Sequence, residues 1–212
     1  VAKERELADI KARLAPFERQ QRAIQGIHSL GNESKAMWAE FKTDARLDEI
    51  SVSLHRRLLT DPDPSYKTLG LKYPPPTKLA ALPTALALLG DVRNLKAVSI
   101  DGLQFDETDV AAFPLSLRAE SIQIKNGGVT DYLTRGFRLP DTVRQLSLPY
   151  NAIVSLDSIP AMSSVGRLSV RGNPITDEGL ERLVEKFPSL YDLDISHTKV
   201  TDKGLAHLAK YK

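Results

Sequence analysis

Two carboxylates separated by a single residue are the clearest candidates for chemistry in this chain. Asp192 and Asp194 flank Leu193, and in a predicted strand they lie on the same side, about 7 Å apart. Such a pair could act as a general acid and base, or it could hold a cation. Arg167, however, takes the place of Asp192 in the neighbouring strand of the predicted sheet, about 4.8 Å away. A cross-strand ion pair therefore explains the motif better than catalysis does.

Other signatures of enzymes and metal sites are missing from the sequence. There is no cysteine, which excludes disulfides, thiolate metal ligands and cysteine nucleophiles. Phosphate-binding loops, dinucleotide fingerprints, nucleophile elbows and zinc-protease motifs do not occur. The four histidines lack the spacing of metal ligands, and they are His28, His55, His197 and His207. We therefore predict a protein that is not an enzyme and that uses no cofactor or metal.

Charge and hydropathy argue against two classes of partner. The net charge is +2, with 11 basic and 9 acidic side chains in residues 1–60 and 18 of each in the rest of the chain. Neither part has the basic excess that binds a phosphate backbone, so we expect no nucleic-acid partner. No apolar run approaches the ~20 residues that span a bilayer, so we expect no direct membrane insertion by this chain.

The elements that position these side chains are predicted from a repeat. Val143–Ile153 fits the pattern L-x-x-L-x-L-x-x-N-x-I at every fixed position. The first position recurs at steps of 24, 24, 22 and 25 residues, at Leu95, Ala119, Val143, Val165 and Leu190. In each repeat two aliphatic residues follow at the spacing of inward-facing strand positions, and an apolar residue closes the turn. The Asn of the pattern is present only as Asn151 and Asn173.

Two segments of the later repeats are more specific. Asn173–Leu180 reads N-P-I-T-D-E-G-L, and His197–Leu205 reads H-T-K-V-T-D-K-G-L. Together with the repeat over residues 95–212, they resemble the leucine-rich-repeat family, in particular its ribonuclease-inhibitor-like branch of strand-and-helix repeats. The resemblance implies an α/β solenoid with a parallel sheet on its concave side and helices outside. Such solenoids are used mostly to bind other proteins.

Alternation along each strand leaves three columns of side chains on the predicted concave sheet. The central column, Ser99, Gln123, Ser147, Ser169 and Asp194, is dominated by small, neutral polar residues. In the later repeats Thr176 and Thr201 are predicted to cap the connecting helices, with Leu180, Leu183, Val184, Phe187, Leu205 and Leu208 buried. The residues that we predict to bind a partner are Lys125, Tyr150, Arg167, Arg171, Asp192, Asp194 and His197.

Residues 1–60 are predicted to form an N-terminal helical region. Leu7, Ile10, Leu14, Phe17 and Ile24 follow a coiled-coil-like seam, although two or three heptads are short for a secure coiled coil. Pro16 predicts a kink or a restart of the helix. A second helix is expected to carry Met37, Trp38 and Phe41, in a hairpin that buries these side chains against the first helix. This region packs on its own domain or mediates self-association.

Residues 61–94 are predicted to be a proline-rich connector and capping segment. Ile50, Val52 and Leu54 alternate as in a strand, although Leu47, Ile50, Leu54 and Leu58 would suit a helix equally well. With the strand option, two degenerate capping repeats are placed at Leu47, Ile50 and Val52 and at Tyr66, Leu69 and Leu71. The segments 61–65 and 73–76 are rich in proline and predict loop or extended chain. Leu79–Leu89 predicts a short helix that stops at Gly90.

The most specific functional prediction is a non-enzymatic scaffold that binds another protein through the concave face of residues 95–212. One alternative is a structural protein that self-associates or is anchored through its N-terminal helices. A second alternative is a protein that binds carbohydrate or cell wall. The repeat pattern is compatible with a cytoplasmic or a bacterial cell-envelope location, and an upstream signal or anchor is compatible with the first residue, Val1.

Overall fold

The computed structural model of the chain describes residues 2–34, 37–43, 49–56, 76–114 and 116–210. The helices are α1 (Ala2–Ser34), α2 (Leu82–Leu88), α3 (Glu107–Ala111), α4 (Asp131–Thr134), α5 (Leu183–Lys186) and α6 (Asp202–Leu205). The strands are β1 (Met37–Thr43), β2 (Ile50–Arg56), β3 (Thr77–Lys78), β4 (Leu95–Asp101), β5 (Leu103–Gln104), β6 (Ser121–Lys125), β7 (Gln145–Ser147), β8 (Arg167–Ser169) and β9 (Asp192–Asp194). Across these ranges, no helix has the length and apolar character needed to cross a membrane.

Seven strands form one sheet in the order β1-β2-β4-β6-β7-β8-β9. Every neighbouring pair is parallel except β1 and β2, which are antiparallel. In the five predicted repeats the paired residues are those of the predicted columns, so that Ser121 lies beside Gln145 and Arg167 beside Asp192. The predicted parallel sheet and its register are therefore confirmed.

The inward-facing pairs of the first four repeats fill the interior. Each side chain is no more than 2% exposed: Val98, Ile100, Ile122, Ile124, Leu146, Leu148, Leu168 and Val170. Burying an aliphatic side chain of this size stabilises the fold by about 1.5–3 kcal/mol. The corresponding pair of the last repeat, Leu193 and Ile195, is only partly buried. The sheet therefore covers a buried interior in the first four repeats and only partly in the last one.

Asn173 shows why the repeat pattern contains an asparagine. Its side-chain Nδ2 donates to the carbonyls of Leu148 (2.7 Å) and Val170 (2.8 Å), and its Oδ1 accepts from the Ile153 amide (3.1 Å). Asn151 bonds in the same way to the repeat before it, at 2.8 to 3.1 Å. Since the turn leaves these backbone groups away from water, the amide side chain satisfies them and joins adjacent repeats.

The threonine–aspartate pairs of the connecting segments have two separate roles. Thr201 caps its own helix by accepting from the Lys203 amide (3.3 Å), as predicted. Asp177 instead reaches the next repeat, where its carboxylate accepts from the amide and the hydroxyl of Thr201, each at 2.7 Å. These bonds, the amide foremost, lower the pKa of Asp177. Asp131 binds the following repeat in the same way, at the Val154 amide (2.8 Å).

The predicted first helix is confirmed as α1, but the predicted second helix is wrong. Met37 and Phe41 lie on strand β1, together with buried Ala39, so the helical hairpin does not form. The spacing of two residues from Met37 to Ala39 to Phe41 is that of a half-buried strand. The helix also runs through Pro16 without restarting, in a stretch exposed enough for water to hydrate the carbonyl that loses its donor.

The segment before the first regular repeat settles one alternative and corrects one register. Of the two alternatives for Ile50–Leu54 the structure has the strand, but Val52 and Leu54 take the inward positions beside Val98 and Ile100, so the capping repeat placed at Leu47 is two residues out of register. A shift of two leaves every side chain on the same face, so periodicity could not reveal it. The helix near residues 79–89 is confirmed as α2.

Leu205 is 44% exposed rather than buried, because no following repeat covers it within the described residues. The sequence signals at Tyr66, Leu69 and Leu71, in the segment 61–65 and at residues 73–75 lie outside the described residues. The division at residues 60 and 94 stays a prediction, although β1 and β2 belong to the same sheet as the repeats.

Candidate functional site

The outward-facing side of the sheet is the main polar surface of the repeats, and we call it the polar face. It consists of three columns: Ala97, Ser121, Gln145, Arg167 and Asp192; Ser99, Gln123, Ser147, Ser169 and Asp194; and Asp101, Lys125, Pro149, Arg171 and Ser196. In the central column, Ser99 donates to Gln123 (3.1 Å), which donates to Ser147 (3.4 Å). Hydrogen bonds across the strands therefore satisfy much of the middle of this surface.

The charges of the polar face are largely paired with one another. Lys125 binds Asp101 at 3.0 Å, with both side chains about one-third exposed. Arg167 lies 3.8 Å from Asp192, which confirms the predicted cross-strand ion pair. Since both partners of the second pair are more than half exposed, it contributes little to stability, at most about 1 kcal/mol. Asp192 is thus paired with Arg167 and does not form an acid–base pair with Asp194.

A compact group of polar side chains lies where the last three repeat strands end, and we call it the exit cluster (Tyr150, Arg171, Asp194 and Ser196). The Arg171 Nε donates to the Tyr150 hydroxyl (2.9 Å), and its NH1 donates to the Ser196 hydroxyl (2.8 Å). Asp194 accepts from the Ser169 hydroxyl (3.2 Å) and from the Ser196 amide (3.0 Å). Partial burial tends to raise the pKa of Asp194, but the hydrogen bonds from Ser196 and Ser169 lower it overall. The carboxylate is therefore ionised at neutral pH.

Backbone conformation sets the position of the exit cluster. The residue that follows the third column has a positive φ in all five repeats: Gly102 (72°), Asn126 (49°), Tyr150 (57°), Gly172 (71°) and His197 (57°). Glycine and asparagine tolerate this region, whereas a tyrosine there costs about 1–3 kcal/mol. The ring of Tyr150 also lies against Gly172, where an added Cβ would come within 2.4 Å of a ring carbon. A strained tyrosine beside an obligatory glycine is thus built into this edge of the sheet.

A second group lies where the strands begin, and we call it the entry cluster (Arg167, Tyr191 and Asp192). Tyr191 is 74% exposed, and the Arg167 guanidinium lies 5.8 Å from the centroid of its ring. The ring covers Gly166, where an added Cβ would meet it at 2.3 Å. Tyr191 was not among the predicted site residues because it precedes the first outward column. The sequence signal for Tyr191 was Gly166, which lies at the same position of the preceding repeat and leaves room for a large neighbouring side chain.

The seven predicted site residues therefore fall into three places. Tyr150, Arg171 and Asp194 come together in the exit cluster, and Arg167 and Asp192 belong to the entry cluster. Lys125 lies apart on β6 with Asp101, separated from Arg171 by Pro149 in the third column. His197 is exposed at the bend after β9.

Another charged cluster holds the first repeat in place and lies outside the polar face. Lys78 binds Asp106 (2.6 Å) and Asp109 (2.7 Å), two acids that form the capping box of α3. The Lys78 hydrogen bond lowers the pKa of Asp106, whereas burial raises that of Asp109. The ammonium group already fills the place of a cation there, and none of the described residues form a group of three metal-ligating side chains.

Comparison with protein-family models supports the assignment that the geometry suggests. The model described as "Leucine Rich repeat" matches two adjacent segments, residues 163–184 and 188–209. These segments contain β8 and β9 with their connecting helices, and their strands share the register of the other repeats. The chain therefore contains leucine-rich repeats over residues 163–209. A search of curated protein sequences found no significant match to it.

Proposed function

We propose that this chain is a non-enzymatic interaction module that binds another protein through the polar face of its last three repeats. Repeats of this family generally mediate protein–protein interaction. In the family geometry a parallel sheet of this kind lines a concave surface, which would place the exit and entry clusters on two sides of one groove. The partner would then lie across β7, β8 and β9.

The observation that carries this proposal is the pairing of a tyrosine with an arginine at each end of the strands. Tyr150 with Arg171 and Tyr191 with Arg167 supply the residue types that dominate binding energy at protein interfaces. An aromatic ring buries a large area with few rotatable bonds, and a planar guanidinium donates several hydrogen bonds in a fixed geometry, so both groups act as anchors. The small polar residues between them leave room for a partner's backbone and side chains.

The strain at Tyr150 supports a binding role rather than a structural one. A residue with φ of 57° costs less as glycine or asparagine, and the equivalent positions of three other repeats hold one or the other. A tyrosine at this position therefore sacrifices stability, which is the pattern expected where a side chain serves recognition.

The charge distribution indicates the kind of partner. Lys125 and Asp101 neutralise each other, as do Arg167 and Asp192. A surface of paired charges attracts neither a strongly basic nor a strongly acidic partner over long range. We therefore expect a partner of mixed polarity, held by short-range contacts, with a weak dependence of affinity on salt.

The substitution Tyr150→Asn tests the proposal. It relieves the backbone strain with a residue that the equivalent position of the β6 repeat already has, Asn126. We expect the free energy of unfolding, from thermal melts, to stay within about 1 kcal/mol of that of the native chain. The affinity for the partner should fall by about 2 kcal/mol, roughly thirtyfold. Partners would be captured from a lysate of the source organism on the native chain and quantified by mass spectrometry, and then measured one by one in purified form.

Tyr132→Asn is the matched control, because Tyr132 is also well exposed (62%) but lies on α4, away from the strands. A protein retained by the native chain and by Tyr132→Asn, but lost from Tyr150→Asn and from Arg171→Ala, supports the proposal. Retention by all four chains would refute binding at the exit cluster. Loss of the fold in Tyr150→Asn would show instead that the tyrosine is structural.

A further inference from the structure

Only part of the longest element, helix α1, packs against the rest of the described structure. Helix α1 has 33 residues, about 50 Å of helix. Its last third packs on β1 and α2 through Ala23 and Ile27, which are 1% and 0% exposed. Earlier in the helix, no described side chain from Arg5 to Gln20 is buried. The first half therefore lies along the surface or beyond it, without a covering element among the described residues.

This half of α1 carries an apolar stripe that faces solvent. Ile10, Leu14 and Phe17 are 44%, 50% and 61% exposed. Their spacing of four and three residues places them within about 60° of one another around the helix. The guanidinium of Arg93, from the folded body, lies 5.8 Å from the centroid of the Phe17 ring. Such a stripe at heptad spacing is the seam of a coiled coil that lacks its second helix.

The charges that flank the seam define which helix would fit. With Leu14 at position a and Phe17 at position d, the e positions are Lys11 and Glu18 and the g positions are Glu6 and Arg13. In a parallel pair of identical helices each g residue faces the e residue five positions later in the partner. Arg13 then meets Glu18. This contact joins opposite charges and occurs twice in the symmetric pair.

An antiparallel pair gives the opposite result. When the same apolar positions are layered with the helices reversed, e residues face e residues and g residues face g residues. Arg13 then meets Arg13 and Lys11 meets Lys11. Like charges at such positions are destabilising. The sequence of α1 therefore discriminates between the two orientations.

We propose that the exposed stripe of α1 binds the same stripe of a second copy of this chain, forming a parallel two-stranded coiled coil over residues 6–18. The predicted self-association of residues 1–60 thereby acquires a specific interface and orientation. Because the seam is short, the dimer dissociates on dilution. The two polar faces then sit at the same end of the pair, where a bivalent ligand gains avidity without any new contact.

Charge exchange tests this interface on the full chain. Sedimentation velocity over a concentration series should show a monomer–dimer equilibrium for the native chain. Leu14→Lys should abolish it, and Arg13→Glu or Glu18→Arg alone should weaken it at least tenfold. The double variant Arg13→Glu with Glu18→Arg should restore it, because the parallel contact is re-formed with its signs exchanged. Arg19→Glu makes the same change of charge at an f position, outside the seam, and should have no effect on the dimer.

Three outcomes would overturn the proposal. They are a monomer at every concentration, a dimer unaffected by Leu14→Lys, and a double variant that stays as weak as the single ones. The thermal melt checks that the variants keep the folded body.

Cysteine crosslinking gives an independent readout of orientation, since the native chain has no cysteine. Mild oxidation of Leu14→Cys should produce a disulfide-linked dimer, because a positions face each other in a parallel pair. Ala12→Cys, at the outward f position, should remain a monomer. Equal crosslinking of the two variants would contradict the proposed seam.

Discussion

The β7 and β8 repeats and the β9 repeat follow one template, yet they differ in how they are held. In the β7 and β8 repeats the inward aliphatic residues are at most 2% exposed, and Asn151 and Asn173 join the turns of successive repeats. In the β9 repeat Leu193 and Ile195 are partly exposed and Leu205 is 44% exposed. A repeat of this kind is stabilised by both neighbours, so matching the pattern does not by itself confer stability.

This difference matters because the candidate site spans both kinds of repeat. Tyr150 and Arg171 belong to the firmly held β7 and β8 repeats, whereas Ser196 and Tyr191 belong to the β9 repeat. Regions with less buried apolar surface open more readily. A partner that contacts both would therefore bind one preformed side and order the other.

Removing the Asn173 side chain should have the largest effect. Asn173→Ala leaves the buried amide of Ile153 and the carbonyls of Leu148 and Val170 without their side-chain partner, which we expect to cost about 4 kcal/mol of unfolding free energy. Thr198 is the final-repeat counterpart. Its hydroxyl donates to the Ile195 carbonyl (2.7 Å) and accepts a long bond from the Val200 amide (3.4 Å), so Thr198→Ala should cost about 1 kcal/mol. Urea unfolding followed by circular dichroism measures both. Equal losses would show that the two turns are held alike.

Truncation of leucine at equivalent depth gives the next largest contrast. Leu148→Ala should cost about 3 kcal/mol, since the side chain is fully buried and leaves a cavity. Leu193→Ala removes the same atoms from a partly exposed site, so we expect about 1 kcal/mol. The comparison uses thermal melts of the two variants. A larger loss for Leu193→Ala would mean that the final repeat is the more tightly packed one.

Restoring the asparagine to the final repeat should stabilise it. In Thr198→Asn the new side chain can bond to the preceding repeat as Asn173 does, and we expect a gain of about 1 kcal/mol. Hydrogen exchange should show slower exchange at the amides of residues 192–205 and little change in the β6 and β7 repeats. No added protection, or a loss of it, would show that geometry rather than residue type limits this turn.

A pH dependence of the link between the last two repeats should be the smallest effect. The folded state lowers the pKa of Asp177 below its ordinary value of 3.8, chiefly because the Thr201 amide donates to it. The stabilisation is therefore fully present above about pH 4 and is lost as the pH falls through the lowered pKa. Asp177→Asn removes it at every pH.

The unfolding free energies of the native chain and of Asp177→Asn should thus converge on acidification. Asp202→Asn removes a charge from the same connecting region and is the matched control. A constant gap between the native chain and Asp177→Asn from about pH 3 to pH 6 would contradict the assigned link.

The part of the fold governed by a single period could be predicted from the sequence. Aliphatic pairs such as Ile122 and Ile124 fix which side of each strand faces inward, and this fixed the columns of the polar face as well. Asn151 and Asn173 marked the two turns that the structure joins by side-chain bonds. Arg167 and Asp192 were predicted as an ion pair for the same reason, because equal positions in adjacent repeats are neighbours.

The remainder depended on contacts that no period encodes. Met37 and Phe41 suit either a helix or a strand, and pairing with β2 decided between them. The contact between Tyr150 and Arg171 joins two different positions of successive repeats, so stepping one template along the chain could not find it. Tyr191 escaped notice because it precedes the first outward column, and its ring packs over Gly166 of the preceding repeat.

The left-handed bends after the strands occur at regular intervals along this edge of the sheet. Each bend turns the backbone in the same way, so the five positions follow one another at intervals of about one strand spacing, roughly 4.8 Å, and the three that are not glycine direct their side chains alike. Of the five positions, Tyr150 and His197 carry rings and Asn126 carries an amide. Moving a ring from one of these positions to another would change the distance between the rings along the edge that a partner contacts. The buried interior would stay unchanged.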